Sequence, residues 1–265
     1  MDGLAGTKNN KALNPFKASV LNRIIWLVIV AYIFYSASSL GLTLERILLG
    51  FGESERLLSR MFPPDFSRVS LLVDGVAESL QIAIISSFFG IVISLFIGLL
   101  AARNMMPIII TAPVRAFIAL CRSFHPVIIA IIFVKAVGFG ALAGILTLIF
   151  ASIGFIAKLF AEAIEEISFN PVEAIKATGA SFFSVIIYAV MPQVFTRFIG
   201  FASYQLDSNL RNSTMVGIVG AGGLGGTLFS AFQRFDYDFV CAILITIIAI
   251  ILVGEMLSNI VRRIF

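Results

Sequence analysis

The sequence predicts an all-α protein, a polytopic transmembrane helical bundle of about six spans, on three observations. Hydrophobic residues fill 59% of the 265 positions and charged residues 13%. With a mean hydropathy of +1.03, that is more apolar surface than one soluble core hides. Charge-free runs close to the ~20 residues a spanning helix needs recur at Ile24 to Leu44, Ser79 to Ala102, Ala136 to Ala157 and Asn212 to Gln233. The basic residues that give the net charge of +4 are scattered around these runs and form no aromatic-interleaved patch, so they read as orientation signals in a lipid bilayer and not as a nucleic-acid surface.

Taken in order, residues 1–23 form a tail carrying Lys8, Lys11, Lys17 and Arg23, and residues 24–42 a first membrane anchor. The apolar run is longer than the 7–15 residues typical of a signal h-region, and the chain beyond it is itself membranous. Residues 43–76 mix arginines with Glu45, Glu53, Glu55, Asp65 and Asp74, as an exposed amphipathic segment on the outer side does, with Phe62-Pro63-Pro64-Asp65 as a stop. Further spans are expected over 77–101, 113–136, 139–160, 194–217 and 238–260. Both termini then face the cytoplasm, with eleven basic residues inside against six outside. Residues 177–196 are free of charge but hold Ser181, Ser184 and Pro192, and read as an inner elbow leading into the fifth span. The third span is interrupted by Arg115, Arg122 and His125-Pro126. Proline bends a helix and a charge at membrane depth faces a cavity or a partner; alternatively Arg115 snorkels and Arg122 pairs inside the bundle.

Between the fourth and fifth spans lies a short helix that can be read from its ends. Asn170 suits the N-cap, Pro171 the first turn, and Glu173 the position that reaches back to the cap amide. Gly179 fits the left-handed position that ends a helix. Two turns alone are marginal in water, so a partner must pack on them.

Here the sequence resembles the permeases of bacterial ABC importers, whose inner loop carries Glu-Ala-Ala, three residues, Gly, and later a hydrophobic-Pro pair. This chain has Glu173-Ala174-Ile175, Gly179 and Met191-Pro192, with isoleucine in place of the second alanine. The resemblance implies a type I, methionine-importer-like fold over residues 77–265, with a coupling helix near 168–182 that docks on an ATPase through Pro171, Glu173, Ala174, Ala177, Gly179 and Ala180. None of the six lysines follows a glycine, so a Gly-Lys phosphate loop is missing. ATP and magnesium are therefore expected on a separate subunit, and no cofactor on this chain.

The fifth span ends in Tyr204-Gln-Leu-Asp207-Ser-Asn209-Leu-Arg211-Asn-Ser213-Thr214, followed by Gly217, Gly220, Gly222, Gly223 and Gly225 in a glycine-rich run. Polar groups at this depth line a watery path or pair with each other. Asp207 and Arg211 share a helical face and can do both. The glycines suit a tight turn, or a nest of amides for an anion; no strand precedes them, so they are not a dinucleotide fingerprint. Cys121 and Cys241 show no metal or redox spacing.

As a set these residues are similar to the phosphonate permeases within the importer family. Phe62-Pro-Pro-Asp-Phe66, Lys158-Leu-Phe-Ala-Glu-Ala163 and Lys176-Ala-Thr-Gly-Ala180 match as well, and the resemblance runs from about residue 60 to the C-terminus. Asp207 stands where glutamate is usual, and His125-Pro126 replaces the family's pattern. The resemblance implies a homodimer, two ATP-binding subunits, a periplasmic phosphonate-binding protein and a lipid surround. It also implies a path lined by Arg122, His125, Asp207, Asn209, Arg211, Ser213 and Thr214, and a periplasmic gate at the glycines. His125 is either a packing residue or a path group that titrates near pH 6.5. Phosphite, hypophosphite and phosphate stay open as cargo, as does an ATP-independent channel or secondary transporter. A membrane enzyme lacks its residues here, since the chain has one histidine.

Overall fold

In the computed structural model, which describes residues 20–264, every regular element is helical. Residues 1–19 of the expected tail lie outside the described residues, as do the side chains of Arg262 and Arg263. The chain divides into one unit up to Ser59 and another from Arg60.

In the first unit, α1 (Val20–Ser39) is apolar on all sides from Ile24 onward, as a helix bathed in lipid must be. α2 (Leu44–Met61) is amphipathic instead. Leu44, Ile47, Leu48, Phe51 and Leu58 share one face, while Glu45, Arg46, Glu53 and Arg56 lie opposite. Arg56 pairs with Glu53 at 2.8 Å, one turn away.

The second unit is organised around α3 (Val69–Ala101), a helix of 33 residues. Ser86, Gly90, Ser94 and Gly98 fall four residues apart along it, and all are buried. Small residues at this spacing let helix backbones approach where lipid offers no hydrophobic drive. A Cβ on Gly90 would sit 2.5 Å from the Cβ of Ser152. The boundary expected at 76/77 therefore moves: α3 begins at Val69, and the preceding loop is part of this unit, with Asp65 N donating to Asp238 O at 3.1 Å.

α4 (Ile108–Ser123) and α5 (Pro126–Val137) meet at 94°, so the third span is broken at His125-Pro126 as expected. α6 (Ala141–Ser152) runs through a π-helical turn (Ile153–Ala157) into α7 (Lys158–Glu165). α8 (Asn170–Ala177) is the short inner helix. α9 (Phe182–Val185), a second π turn (Ile186–Val190) and α10 (Met191–Gly217) then continue as one 36-residue run. The elbow expected over 177–196 thus shrinks to the few residues before Phe182, and the fifth span starts there rather than at 194. α11 (Leu224–Gln233), which hydropathy did not separate, precedes α12 (Tyr237–Ile264). Among the described residues, five helices are long and apolar enough to span a membrane, six with the bent pair, which meets the expectation of about six.

Two clusters of buried side chains mark the two ends. Ile156, Phe160 and Ile164 pack with Val172, Val185, Val190 and Val194 at one. Leu72, Leu224, Phe239, Val240 and Ile243 pack at the other. α10 connects them, and its 27 residues cover roughly 40 Å.

Candidate functional site

α8 is attached by one side and offered by the other. Val172 is fully buried, among Ile164, Val185, Val190 and Val194. Pro171, Glu173, Ala174, Ala177 and Gly179 are exposed and Ala180 half-buried, so five of the six residues expected to face an ATPase form an open, small-residue surface. Gly179 has φ +78 and no atom within 4 Å of where a Cβ would stand, as a left-handed helix end requires. The expected cap is corrected: Asn170 is already helical, Phe169 takes the cap position, and no side chain bonds there. Glu173 N donates to Phe169 O at 2.9 Å, and its carboxylate does not reach back. A tertiary clasp replaces the local one, because Gln193 accepts from Ser168 N at 3.0 Å and donates to Ser168 O at 3.3 Å.

Ion pairs that hydropathy does not disclose fasten the same end. Glu165 accepts from Arg115 and, at 2.8 Å, from Arg103 N, while Arg115 Nε donates to Ala101 O at 2.8 Å. One carboxylate thereby ties the loop after α3 and the middle of α4 to the end of α7. Its neighbour Glu166 pairs with Arg197 of α10 at 2.5 Å. Arg115 is therefore a clasp within the bundle, where the sequence left open a charge facing a cavity or partner and a snorkelling side chain.

The polar residues of α10 divide into a buried and an open set. Asn209 is fully buried and donates to Ser87 Oγ at 2.9 Å and Ser152 Oγ at 3.0 Å. Gln205 donates to Asn209 Oδ1 at 2.9 Å and to the same Ser152 Oγ at 3.0 Å. This network joins α3, α6 and α10, and Gln205, Ser87 and Ser152 are its members that sequence reading missed. Ser213 is also fully buried, its hydroxyl bonded to Leu210 O. Asn209 thus ties three helices together, Ser213 bonds back within α10, and neither lines an open path within the protomer, which differs from their expected role. Arg211 is exposed and pairs with Asp207 at 3.2 Å. Asp207 Oδ1 is buried without a hydrogen bond. It stands at the wall of a cavity of about 380 Å³ between α3, α10 and α12, in which it is the one ionisable group among the described residues. Thr214 bonds Arg211 O at 2.7 Å.

Arg122 and His125 do not join this cluster. α4 packs on α3 and the first π turn, where the stem of Arg122 runs beside Gly154. His125 caps α5, its Nδ1 accepting from Val127 N at 3.3 Å, so the histidine has a backbone role next to the break.

The glycine run is a tight connection between α10 and α11. Gly220, Gly222 and Gly223 all have positive φ. A Cβ on Gly217 would lie 2.9 Å from Gly225 Cα, so this pair sets how closely the two helices approach. The amides of Gly220, Ala221 and Gly226 donate to Gly217, Val216 and Gly223, and Leu224 N donates to Ser79 Oγ at 2.9 Å. These donors face inward, which favours the turn over the anion nest. Beside it, Arg68 pairs with Asp236 at 3.0 Å and lies 4.1 Å above the Phe239 ring. The Ser67 amide and hydroxyl, with Arg68, hold the Asp65 carboxyl below its usual range; Asp236 in turn raises Arg68.

Known proteins resemble this arrangement in sequence and in shape. Residues 94–265 match the family described as binding-protein-dependent transport system inner membrane component. A phosphite transport system permease protein of Stutzerimonas stutzeri is 38% identical over 220 residues, 83% of this chain and 80% of that protein. A phosphate-import permease protein of Mycolicibacterium smegmatis is 38% identical over 208 residues, 78% of this chain; the match spans only 39% of that longer protein. Among solved structures, an inward-facing MetNI methionine ABC transporter chain superimposes with a TM-score of 0.66 at 27% identity, covering 76% of this chain and 99% of that one.

Proposed function

Because this chain belongs to the binding-protein-dependent transport system inner membrane components, we propose that two copies of it form the passage of an ATP-driven importer of phosphonate. Members of the family are multi-pass, non-catalytic inner-membrane proteins. The motor and the binding protein are separate subunits, so ATP and magnesium are assigned to the ATPase. The observation that carries the reading is α8, a two-turn helix buried on one side through Val172, open on the other, and closed by Gly179 at φ +78. Such a helix is held rigidly enough to transmit a push and exposed enough to receive one. Arg103, Arg115, Lys158, Lys176 and Arg197 all gather at its end of the bundle, which supports a cytoplasmic location for that end and, with it, for both termini.

Cargo is read from the open set on α10. Arg211 keeps a half-exposed guanidinium while paired with Asp207, and a paired arginine still presents donors to a passing oxyanion. The phosphonate permease-like run from Asp207 to Gly225 supports phosphonate. The names of the two relatives favour a second reading, phosphite or phosphate on the same machinery. The glycine turn is the proposed periplasmic gate, and Arg122 stays a proposed path residue through its exposure at the break.

The coupling role is tested with Gly179→Asp in the reconstituted complex. No atom lies near enough to clash, and asparagine tolerates the same backbone, so Gly179→Asn controls for strain. Loss of ATPase co-purification with Asp but not with Asn is expected; equal co-purification and uptake for both would remove α8 from the coupling role. Arg211→Ala should lower uptake while the ATPase stays bound. Which of phosphonate, phosphite and phosphate, presented by the cognate binding protein, stimulates ATP hydrolysis decides between the two cargo readings.

A further inference from the structure

At the end of the bundle that carries α8, one charged feature lies off the exposed face of α8 and apart from the polar residues of α10. A cavity of about 250 Å³ opens between the end of α3, α4 and α7, lined by Arg103, Arg115, Arg122 and Lys158 over a floor of alanines and Ile118. Two of these cations are already matched, Arg115 by Glu165 and Lys158 by Glu162 at 2.5 Å. The guanidinium groups of Arg103 and Arg122 form no ion pair among the described residues. Their convergence is built into the packing. Gly154 in the π turn lets α4 approach so closely that a Cβ there would lie 3.0 Å from Arg122 Cγ, and Lys158 is the first residue after that turn. With Arg115 and Lys158 matched, the two remaining guanidinium groups leave this small concavity with an excess of positive charge that an anion would offset.

We propose that this cavity binds a phosphate-type oxyanion. Guanidinium forks match the tetrahedral acceptors of such a group in geometry as well as charge. The group can arrive as a free phosphate from the aqueous phase or as the headgroup of an anionic phospholipid, because basic pockets between membrane helices on the inner side suit both. The site is argued from charge and shape at the α8 end and stands apart from the cargo of the α10 path.

The test uses the complete complex in nanodiscs, with two readouts. In phosphatidylcholine alone, binding of radiolabelled inorganic phosphate is measured by equilibrium dialysis. In phosphatidylcholine mixed with phosphatidylglycerol, retained lipid is measured by native mass spectrometry. The Arg103→Gln/Arg122→Gln variant removes two charges that form no direct ion pair among the described residues, and should lose one of these ligands by about tenfold or more, with partial rescue by the double lysine variant. Arg103→Glu, on an exposed loop, serves as a second variant that leaves the helices intact and should weaken the same ligand. Loss of phosphate binding supports the site with a free anion as its ligand; loss of phosphatidylglycerol retention supports it with lipid. If wild type binds no phosphate and shows no preference for phosphatidylglycerol, or if the variants bind as wild type does, the proposal is overturned. Neither readout involves uptake, so this result and the importer reading fail independently.

Discussion

At the end that carries α8, Arg115–Glu165, Arg197–Glu166 and the Gln193–Ser168 clasp hold a helix whose outer face stays open. Roughly 40 Å away along α10, the turn into α11 is held by glycines, inward-facing amides and one serine, with almost no charge of its own. The difference comes from the surface each end must leave free. A docking helix has to be rigid without being covered, so long charged side chains reach it from neighbouring helices and leave its surface bare. A turn that brings two helices into backbone contact has no room for side chains, so hydrogen bonds and the lack of a Cβ do the holding. Ion clasps of this kind tolerate small displacements; a glycine contact does not.

The sharpest test of that contrast uses two adjacent residues. A Cβ on Gly225 would collide with the backbone of Thr214 and Gly217, whereas one on Gly226 has only a single neighbour, at 3.7 Å. Gly225→Ala should cost about 3 kcal/mol or more by overpacking, and Gly226→Ala close to nothing. Thermal melting of the detergent-solubilised complex reads both; equal melting would show that the turn yields and that the two ends do not differ in stiffness.

At the other end the corresponding change is Glu165→Gln. It weakens the acceptor shared by Arg115 and Arg103 N and leaves the Arg115 charge half-buried. The expected loss is about 1–3 kcal/mol, smaller than for Gly225→Ala, and it should come with weakened ATP-dependent uptake because α7 leads directly into α8. A melting point unchanged together with normal uptake would mean that the clasp is decorative.

The two ends also differ in how far the sequence disclosed them. Gly179 and the glycine run were legible because a positive φ and a close approach leave a residue-level mark. The Asn170 cap was misplaced because the helix starts one residue earlier, with Phe169 O accepting from Glu173 N, and the lead-in is fixed at Ser168 by Gln193, twenty-five residues away. The Arg115 and Glu165 clasp left no signal, since pairing across fifty residues has no spacing rule. Hydropathy found the spans but started the second eight residues and the fifth twelve residues late, and it missed α11, whose apolar sequence ran on from the preceding span. It also placed Asn209 and Ser213 on a path because polar groups at depth suit both uses; only packing separates a residue that faces an opening from one that bonds Ser87 and Ser152.

Between the ends, the Asn209 network gives a third, smaller test. Asn209→Leu leaves Gln205, Ser87 and Ser152 with one partner fewer and enlarges nothing. Polar contacts between membrane helices are worth about 0.6 kcal/mol on average and rarely over 1.7, so a destabilisation near 1 kcal/mol is expected, with uptake kept wherever the complex is folded. Loss of uptake at full stability would return Asn209 to the path.

The smallest expected effect lies in the loop before α3, where the glycine end borrows a charge. Asp65 accepts from the Ser67 amide and hydroxyl at 2.8 and 2.9 Å, and Arg68 lies 3.6 Å away. These contacts lower its folded pKa beneath the unfolded value of about 3.9. A lowered carboxylate pKa contributes stability that is fully present above the unfolded value and is lost as pH falls through the folded one. Melting followed from pH 6 downward should therefore decline below about pH 4, and Asp65→Asn, which keeps an acceptor for the Ser67 amide, should flatten part of that decline while changing little at pH 7. If the variant and wild type fall in parallel, the loop is held by Asp65 N on Asp238 O and by Arg68 on Asp236, and this end depends on charge even less than its turn implies.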